Sequence, residues 1–576
     1  MNQNRDKKVM EYKSQNVVCQ NCKGNFIIEP DDFGFYEKIK VPPPTFCPDC
    51  RYIRRLLDRN EYNFYKRKCD ATGKDIISIY RPDAPFSVYE QEYWKSDAFD
   101  AKDYGRDFDF SRSFFEQYEE LRREVPHLAM VNSNSVNSEY TNQSQDNKEC
   151  YMLVTSGSNE KCMYGSWCHD SHFLSDCYMA FKSEFCYECM NIARCSKCVW
   201  CQDCFDSVGL EFCIDCRGCL NCFGCVGLRK RQYYWFNKAL TKTQYEEKLK
   251  KFSFNRSSIE ESKKKVMELN ISTPVKYYHG SKIQNSTGDY IGSTQRARRV
   301  FNCHLLKDTA YMQDVWFKTA DCQDCTEVII GELSYEVQGV ESPHRSMFIR
   351  SCFNSITDSC YCDMCFTTDN CFGCFGLKKG QYCILNKQYT KEQYTKLKSE
   401  IIEHMRKTKE WGEYFPARVS PFAYNESMAQ DYFPLTKNEV LKKGYTWYDR
   451  PPRDYQITLL TKNLPKTFSD IKENLAKETI QCSSQNSSSE KEKYPLCITA
   501  FKIIPLELSL CKILNLPIPE KCFSCRRQDR FVLRNPRKLW HRKCMKKGCL
   551  NKFETSYAPN RPEIIYCEKC YQAEVY

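Results

Sequence analysis

Cys195–Cys225 reads CSKCVWCQDCFDSVGLEFCIDCRGCLNCFGC, with nine cysteines spaced by three except for one gap between Cys204 and Cys213. Earlier cysteines open short strand-like triplets: Cys150-Tyr-Met, Cys162-Met-Tyr, Cys177-Tyr-Met and Cys186-Tyr-Glu. Asn and Ser crowd the approach, from Asn132 to Asn147. β-prone triplets separated by polar corners predict a β-solenoid-like fold, in which each rung buries small side chains against the next. Free cysteine packs there as a small hydrophobe. The rung spacing read from the cysteines alone is irregular. Two other chemistries fit the same spacing: a thiolate cluster for several Zn(II) or Cu(I) ions, and redox dithiols, which need depressed thiol pKa values. Cys168-His169 with His172 is a further candidate ligand trio, set against an ordinary surface histidine pair.

The stretch belongs to a duplication. Asn221–Lys242 (NCFGCVGLRKRQYYWFNKALTK) recurs as Asn370–Lys391 (NCFGCFGLKKGQYCILNKQYTK), 149 residues later. The second copy keeps Cys352, Cys362, Cys365, Cys371 and Cys374 but lacks counterparts of Cys195 and Cys198. A specific metal cluster would not lose ligands so freely, which favours structural cysteines. Each copy ends in a capping box, Thr241 with Gln244 and Thr390 with Gln393, predicting a helix after each. Ser111 or Ser113 predicts another, ending near Pro126. The polar run Gln481–Lys493 reads as a linker.

The ends are also copies. Cys47–Cys69 and Cys522–Cys544 align without gaps at an offset of 475, matching Arg51/Arg526, Arg55/Arg530, Arg59/Arg534, Asn60/Asn535 and Arg67/Arg542. The order is therefore A–B–B′–A′. Its predicted boundaries are a zinc module at 1–95, a helical connector at 96–130, unit B at 131–255, a linker at 256–299, unit B′ at 300–410, a connector and linker at 411–493, and a second zinc module at 494–576. The fold class is mainly β with short helices and several domains: zinc-ribbon-like ends around a duplicated, cysteine-rich, β-solenoid-like middle.

Cys19-x2-Cys22 and Cys47-x2-Cys50 present two knuckles, each turning two thiolates toward one point. Together they make a closed tetrahedral site with no position left for substrate water. In the C-terminal copy Tyr494 stands in place of Cys19, leaving Cys497, Cys522 and Cys525, with Cys511 or Cys482 open as the fourth ligand. Cys544, Cys549, Cys567 and Cys570 form a further four-thiolate set; pairing Cys522 and Cys525 with Cys567 and Cys570 is the alternative. Two or three Zn(II) ions are expected.

Cys19-Gln-Asn-Cys22, Phe26, Phe35-Tyr36, Pro44 and Cys47-Pro-Asp-Cys50-Arg51 resemble the "probable zinc-ribbon" family pattern, CxxC…F…FY…P…CPxCR, over about the first tenth of the chain. The resemblance implies a small metal-organised ribbon and a nucleic-acid contact. The whole chain is similar to cysteine-rich zinc-ribbon proteins of uncultivated bacteria, from which no activity transfers.

Arginines follow each second knuckle at four-residue spacing: Arg51, Arg55, Arg59, and Arg526, Arg530, Arg534. On a helix they share one face. With Arg67 and Arg542, beside Tyr65 and Trp540, they predict a surface for RNA or DNA phosphates and bases. The alternative is a solvated face, or ion pairs with Asp49, Asp58 and Asp529. A protein–protein scaffold on the solenoid is the second function class, and metal storage or sensing the third.

The chain has 576 residues, 41% hydrophobic and 14% aromatic, so several folded domains are expected rather than disorder. Thirty-nine cysteines would suit a secreted disulfide protein, but the start, MNQNRDKKVMEYKSQNVV, has no apolar export segment. A reducing cytoplasm is the expectation, with paired cysteines as metal ligands. No apolar run suits a membrane. The net charge of +12 is concentrated at the end, where fourteen Lys/Arg face six Asp/Glu from Pro519 onward. The nucleotide-binding, metalloprotease and serine-hydrolase motifs are missing, so the sequence offers no catalytic residues.

Overall fold

The computed structural model describes residues 12–451, 455–471 and 475–575. The chain is mainly β with short helices. It divides into two compact units, Met1–Ala129 with Tyr278–Tyr448, and Met130–Tyr277 with Asp449–Tyr576. Each unit thus combines one end module with one cysteine-rich segment: A with B′, and B with A′. Among the described residues, no helix is long and apolar enough to cross a membrane.

In the B segment the backbone winds in parallel coils. Val136 pairs with Lys148, Glu139 with Tyr151, Asn142 with Val154, and so on to Arg217 with Arg229, always twelve residues ahead. Every third residue takes a left-handed φ near 50°, as at Asn134, Asn137, Tyr140, Gln143 and Asp146. Twelve divided by three gives four sides per turn, each of three residues. A left-handed corner is costly for most side chains and least so for Asn and Asp. The sequence answers with Asp146, Asp170, Asp176, Asp203, Asp206 and Asp215 at corners. The remaining cost is offset by inter-turn bonds such as Tyr151 N–H to Cys162 O at 3.0 Å and Met190 N–H to Cys201 O at 2.9 Å.

This geometry explains the spacing of three. One residue per side points inward, and in B these are Cys150, Leu153, Ser156, Asn159, Cys162 and onward to Cys219, Cys222 and Cys225, all buried. The expected irregularity is corrected: the rungs are regular, but cysteine is only one of several small residues that fill them. The inner thiols from Cys150 to Cys222 donate to carbonyls two residues back and nine ahead; Cys189 reaches Tyr187 O at 3.4 Å and Cys198 O at 3.2 Å. Inner serines make the short bond too, Ser183 to Phe181 O at 2.9 Å and Ser207 to Phe205 O at 2.8 Å. The site asks for a small side chain, and a short donor satisfies the carbonyl that lines it. B′ meets the same demand with fewer cysteines, burying Ser334, Val337, Ser346 and Ile349 before Cys352. Its two thirteen-residue turns, Leu306 to Thr319 and Met347 to Cys360, absorb single insertions.

The helices close these coils. Thr241 and Thr390 cap Lys242–Lys251 and Lys391–Lys407 with the expected boxes. Ser113 caps Phe114–Glu124. In the second unit, stacked Phe223 and Trp235, 4.0 Å between centroids, lie under Tyr245, Ile259 and Val266. The stretch 256–299, expected to be a linker, instead holds the seventeen-residue helix Arg256–Ser272 and the strands Gly280–Gln284 and Gly288–Arg298. Asn255 caps that helix. The run 481–493 is likewise ordered, with the helix Ser488–Lys493 capped by Ser487.

The end modules share one plan. A hairpin (Gln15–Val18 with Asn25–Ile28) leads to the helix Pro30–Ile39, the helix Pro48–Leu57 and a second hairpin, Tyr65–Lys68 with Asp75–Ser78. In A′ the counterparts are Ile480–Gln481 with Ala500–Phe501, Pro505–Leu514, Phe523–Val532, and Trp540–Lys543 with Lys552–Thr555.

Candidate metal centres and the arginine locks

Three groups of four cysteine sulfurs each lie within 4.8 Å of one another: Cys19, Cys22, Cys47, Cys50; Cys482, Cys497, Cys522, Cys525; and Cys544, Cys549, Cys567, Cys570. In the first, the turn of the N-terminal hairpin carries Cys19 and Cys22, folded back by Cys19 N–H to Gly24 O at 2.9 Å. Cys47 is the N-cap residue of the helix Pro48–Leu57, so the second knuckle sits on its first turn. Cys522 caps Phe523–Val532 in the same way.

The sulfur separations test the fit to a metal. A regular tetrahedron with metal–sulfur bonds of about 2.3 Å has edges of about 3.8 Å. The observed pairs are Cys22–Cys47 at 3.8 Å, Cys497–Cys522 at 3.9 Å, Cys482–Cys525 at 3.9 Å, Cys522–Cys525 at 3.5 Å and Cys549–Cys567 at 3.9 Å. These are far outside the disulfide range, and all the cysteines are free. Backbone and side-chain donors aim at the sulfurs: Cys47 N–H at Cys19, Cys522 N–H at Cys482, Cys567 N–H at Cys544, and Asn551 Nδ2 at Cys567, all 3.2–3.3 Å. Burial pushes the Cys19 thiol up, but the amides of Cys47, Cys22 and Asn21 outweigh it and bring it down to about 7. At Cys567 burial is likewise outweighed, by Asn551 and the Cys570 amide, giving about 6. Thiolate is the form that binds metal, and in each of these two sets one thiol is brought down while others of the set, Cys22 and Cys47 in the first and Cys570 in the other, are pushed up by burial and by their sulfur neighbours. Each set is closed, which suits a structural ion.

The fourth ligand that spacing left open is Cys482, not Cys511. Cys511 lies buried in the helix Pro505–Leu514, outside all three groups. Cys482 replaces the missing partner of Cys497 by entering from the segment expected to be a linker, and Ser484 Oγ donates to Cys497 Sγ at 2.9 Å. The alternative pairing of Cys522 and Cys525 with Cys567 and Cys570 does not occur. His169 and His172 belong to none of the groups; Cys168 points into the coil and His169 stacks on Phe181.

Arg51 with Arg55, and Arg526 with Arg530, share a helix face as expected, while Arg59 and Arg534 lie just past the helix ends at Leu57 and Val532; the face is covered. Arg51 and Arg55 are fully buried and Arg59 is 2% exposed. Arg51 pairs with Asp324 at 2.9 Å, and Arg55 with Asp324 at 3.4 Å and Glu336 at 3.2 Å. Arg59 pairs with Glu61 and Glu327. Arg54, outside the four-residue spacing, joins Glu336 at 3.1 Å and Glu413 at 2.9 Å. In A′, Arg526 meets Asp176 and Glu507, each at 3.0 Å, and Arg530 meets Asp176 at 2.7 Å. Arg534 donates to Tyr178 Oη at 2.9 Å. Arg67 and Arg542 donate to the carbonyls of Arg81 and Ala558. The expected local partners are engaged elsewhere, Asp58 with Arg350 and Asp529 with Lys521. Burial works against the charge on Arg51, and Asp324 more than restores it, so the cation is held.

No family model matches the chain, and no curated protein matches it. One solved structure, from Desulfovibrio desulfuricans G20 and assigned as an acetyltransferase, is 9% identical over 43% of this chain and 63% of its own length. Its TM-score of 0.09 carries no argument about fold.

Proposed function

We propose that the protein is a non-enzymatic binding scaffold organised by three structural zinc ions, with its two coiled segments acting as β-solenoids. The observation that carries this reading is the set of three closed four-thiolate groups with edges near those of a zinc–sulfur tetrahedron. Zinc suits four thiolates, needs no redox partner, and at a closed site supplies folding energy rather than chemistry. Both end modules carry their second C-x2-C knuckle on a helix start, which fixes two sulfurs of each set. The inner thiols are filling rather than storage: they donate to carbonyls, and B′ replaces them with Ser, Val and Ile. Metal content separates the two readings. A scaffold holds three ions per chain, whereas storage holds many more.

Nucleic acid stays the favoured partner class, though not through the eight arginines first considered, which are taken up in internal bonds. It is supported by Phe531–Phe553, which holds no Asp or Glu and, beyond the engaged Arg534 and Arg542, six further Lys/Arg.

A further inference from the structure

The two second hairpins are the same element at the same register, so one is a control for the other. In module A, Lys68 lies opposite Asp75 and bonds it at 3.1 Å. In A′ the corresponding positions are Lys543 and Lys552, also directly opposite. Like charges opposed across a strand pair are destabilising. The change is systematic. Leu56–Ile76 carries five Lys/Arg and four Asp/Glu, at Asp58, Glu61, Asp70 and Asp75. Their counterparts are Leu533, Pro536, Met545 and Lys552, so every acid has gone. Lys543, Lys547 and Lys552 are exposed. No carboxylate among the described residues pairs with any of these three, whereas Lys546 is tied to Glu574 at 2.5 Å.

A hairpin that holds uncompensated lysines face to face, where its sister holds an ion pair, is built to meet a polyanion. We propose that this outer face, centred on Lys543, Lys547 and Lys552, binds the phosphate backbone of nucleic acid. The inference rests on the zinc-organised reading, because Cys544 and Cys549 fix the loop between the strands. Contact runs through phosphates, so recognition has little sequence preference and strong salt dependence. Leu550, 91% exposed at the loop tip, makes an anionic bilayer the rival occupant.

The test uses the zinc-loaded full chain, labelled short RNA, single-stranded DNA and duplex DNA in a salt series, and phosphatidylglycerol vesicles. The variants are Lys543→Ala with Lys547→Ala and Lys552→Ala, and separately Lys552→Asp, which rebuilds the ion pair of module A. Wild type is expected to bind nucleic acid. The triple variant should weaken duplex binding about eightfold per lost contact at 0.1 M salt, with the log–log slope shallower by about 0.9 each. Lys552→Asp should be at least as thermostable as wild type yet bind more weakly, so lost binding cannot be blamed on lost folding. No binding by wild type at low salt, unchanged binding by both variants, or binding to vesicles alone would overturn the proposal. With three zinc ions still present, such a result leaves the scaffold standing; an empty hairpin site removes the basis for both.

Discussion

Arg51 and Asp324 face each other at 2.9 Å with both side chains cut off from solvent, and Arg526 repeats the contact with Asp176 at 3.0 Å. The arginines are 475 residues apart in the chain, the offset of the end repeat, and the aspartates 148, the offset that also relates Cys204 to Cys352 in the middle repeat before one inserted residue makes it 149. The same lock between an end module and a coil has been kept twice, although the two pairs are strung in opposite order along the chain. That persistence, more than any surface role, accounts for arginines that recur where their neighbours have drifted.

Removing one partner of such a pair leaves an uncompensated buried charge. Asp324→Ala and Asp176→Ala should each destabilise their own unit by about 3–5 kcal/mol, measured by denaturant unfolding. Zinc content should stay at wild-type level. A change below about 1 kcal/mol would show that the locks are not structural.

The inner cysteines should tolerate what the second copy already contains. Cys198→Ser reproduces Ser346 and keeps a short donor, so the expected cost is within about 1.5 kcal/mol, with no metal lost. Cys198→Phe overpacks the rung and should cost about 1–3 kcal/mol or more. Loss of a metal ion on Cys198→Ser would instead mark the interior as a thiolate cluster.

The coil period was hidden in the sequence because cysteine marks only part of it. Leu153, Ser156, Asn159, Leu174, Ala180 and Ile192 fill equivalent inner positions, and only the backbone corners show that all belong to one series. The C-x2-C ligands were legible because the knuckle is a local motif. Cys482 was legible only as one of two candidates beside Cys511, since it comes from a polar run with no partner cysteine at the spacing of three. The arginine face was legible as a face, but its acids lie in a distant repeat, Asp324 and Glu336 for the first stripe, and spacing along a helix does not say what covers it.

Cys482 and Cys511 make a direct contrast. Cys482→Ala should remove one zinc ion and loosen the A′ module, whereas Cys511→Ala should leave the metal count unchanged. Metal analysis of the two purified variants decides between them.

Glu507 supplies a pH signature. Burial raises its carboxyl to about 7, against the pull of Arg526, with Asp176 adding to the rise. A folded-state pKa above the unfolded value means the folded protein binds more protons in between. This contribution is therefore full below about pH 4.5 and lost as pH rises through about 7. Glu507→Gln should remove that slope, stabilising the protein at pH 8 by up to about 2–3 kcal/mol and much less at pH 5. Urea unfolding of both forms at the two pH values checks it, and equal differences at both would refute it.

The most direct test of the whole account is the metal content of the full chain, purified in excess zinc, desalted, and weighed under native and denaturing conditions by mass spectrometry. Three zinc ions per chain, falling to two in Cys482→Ala, is the predicted result. Fewer than three would contradict the closed four-thiolate sites, and many more than three would make the buried cysteines a metal store rather than the filling of a coil.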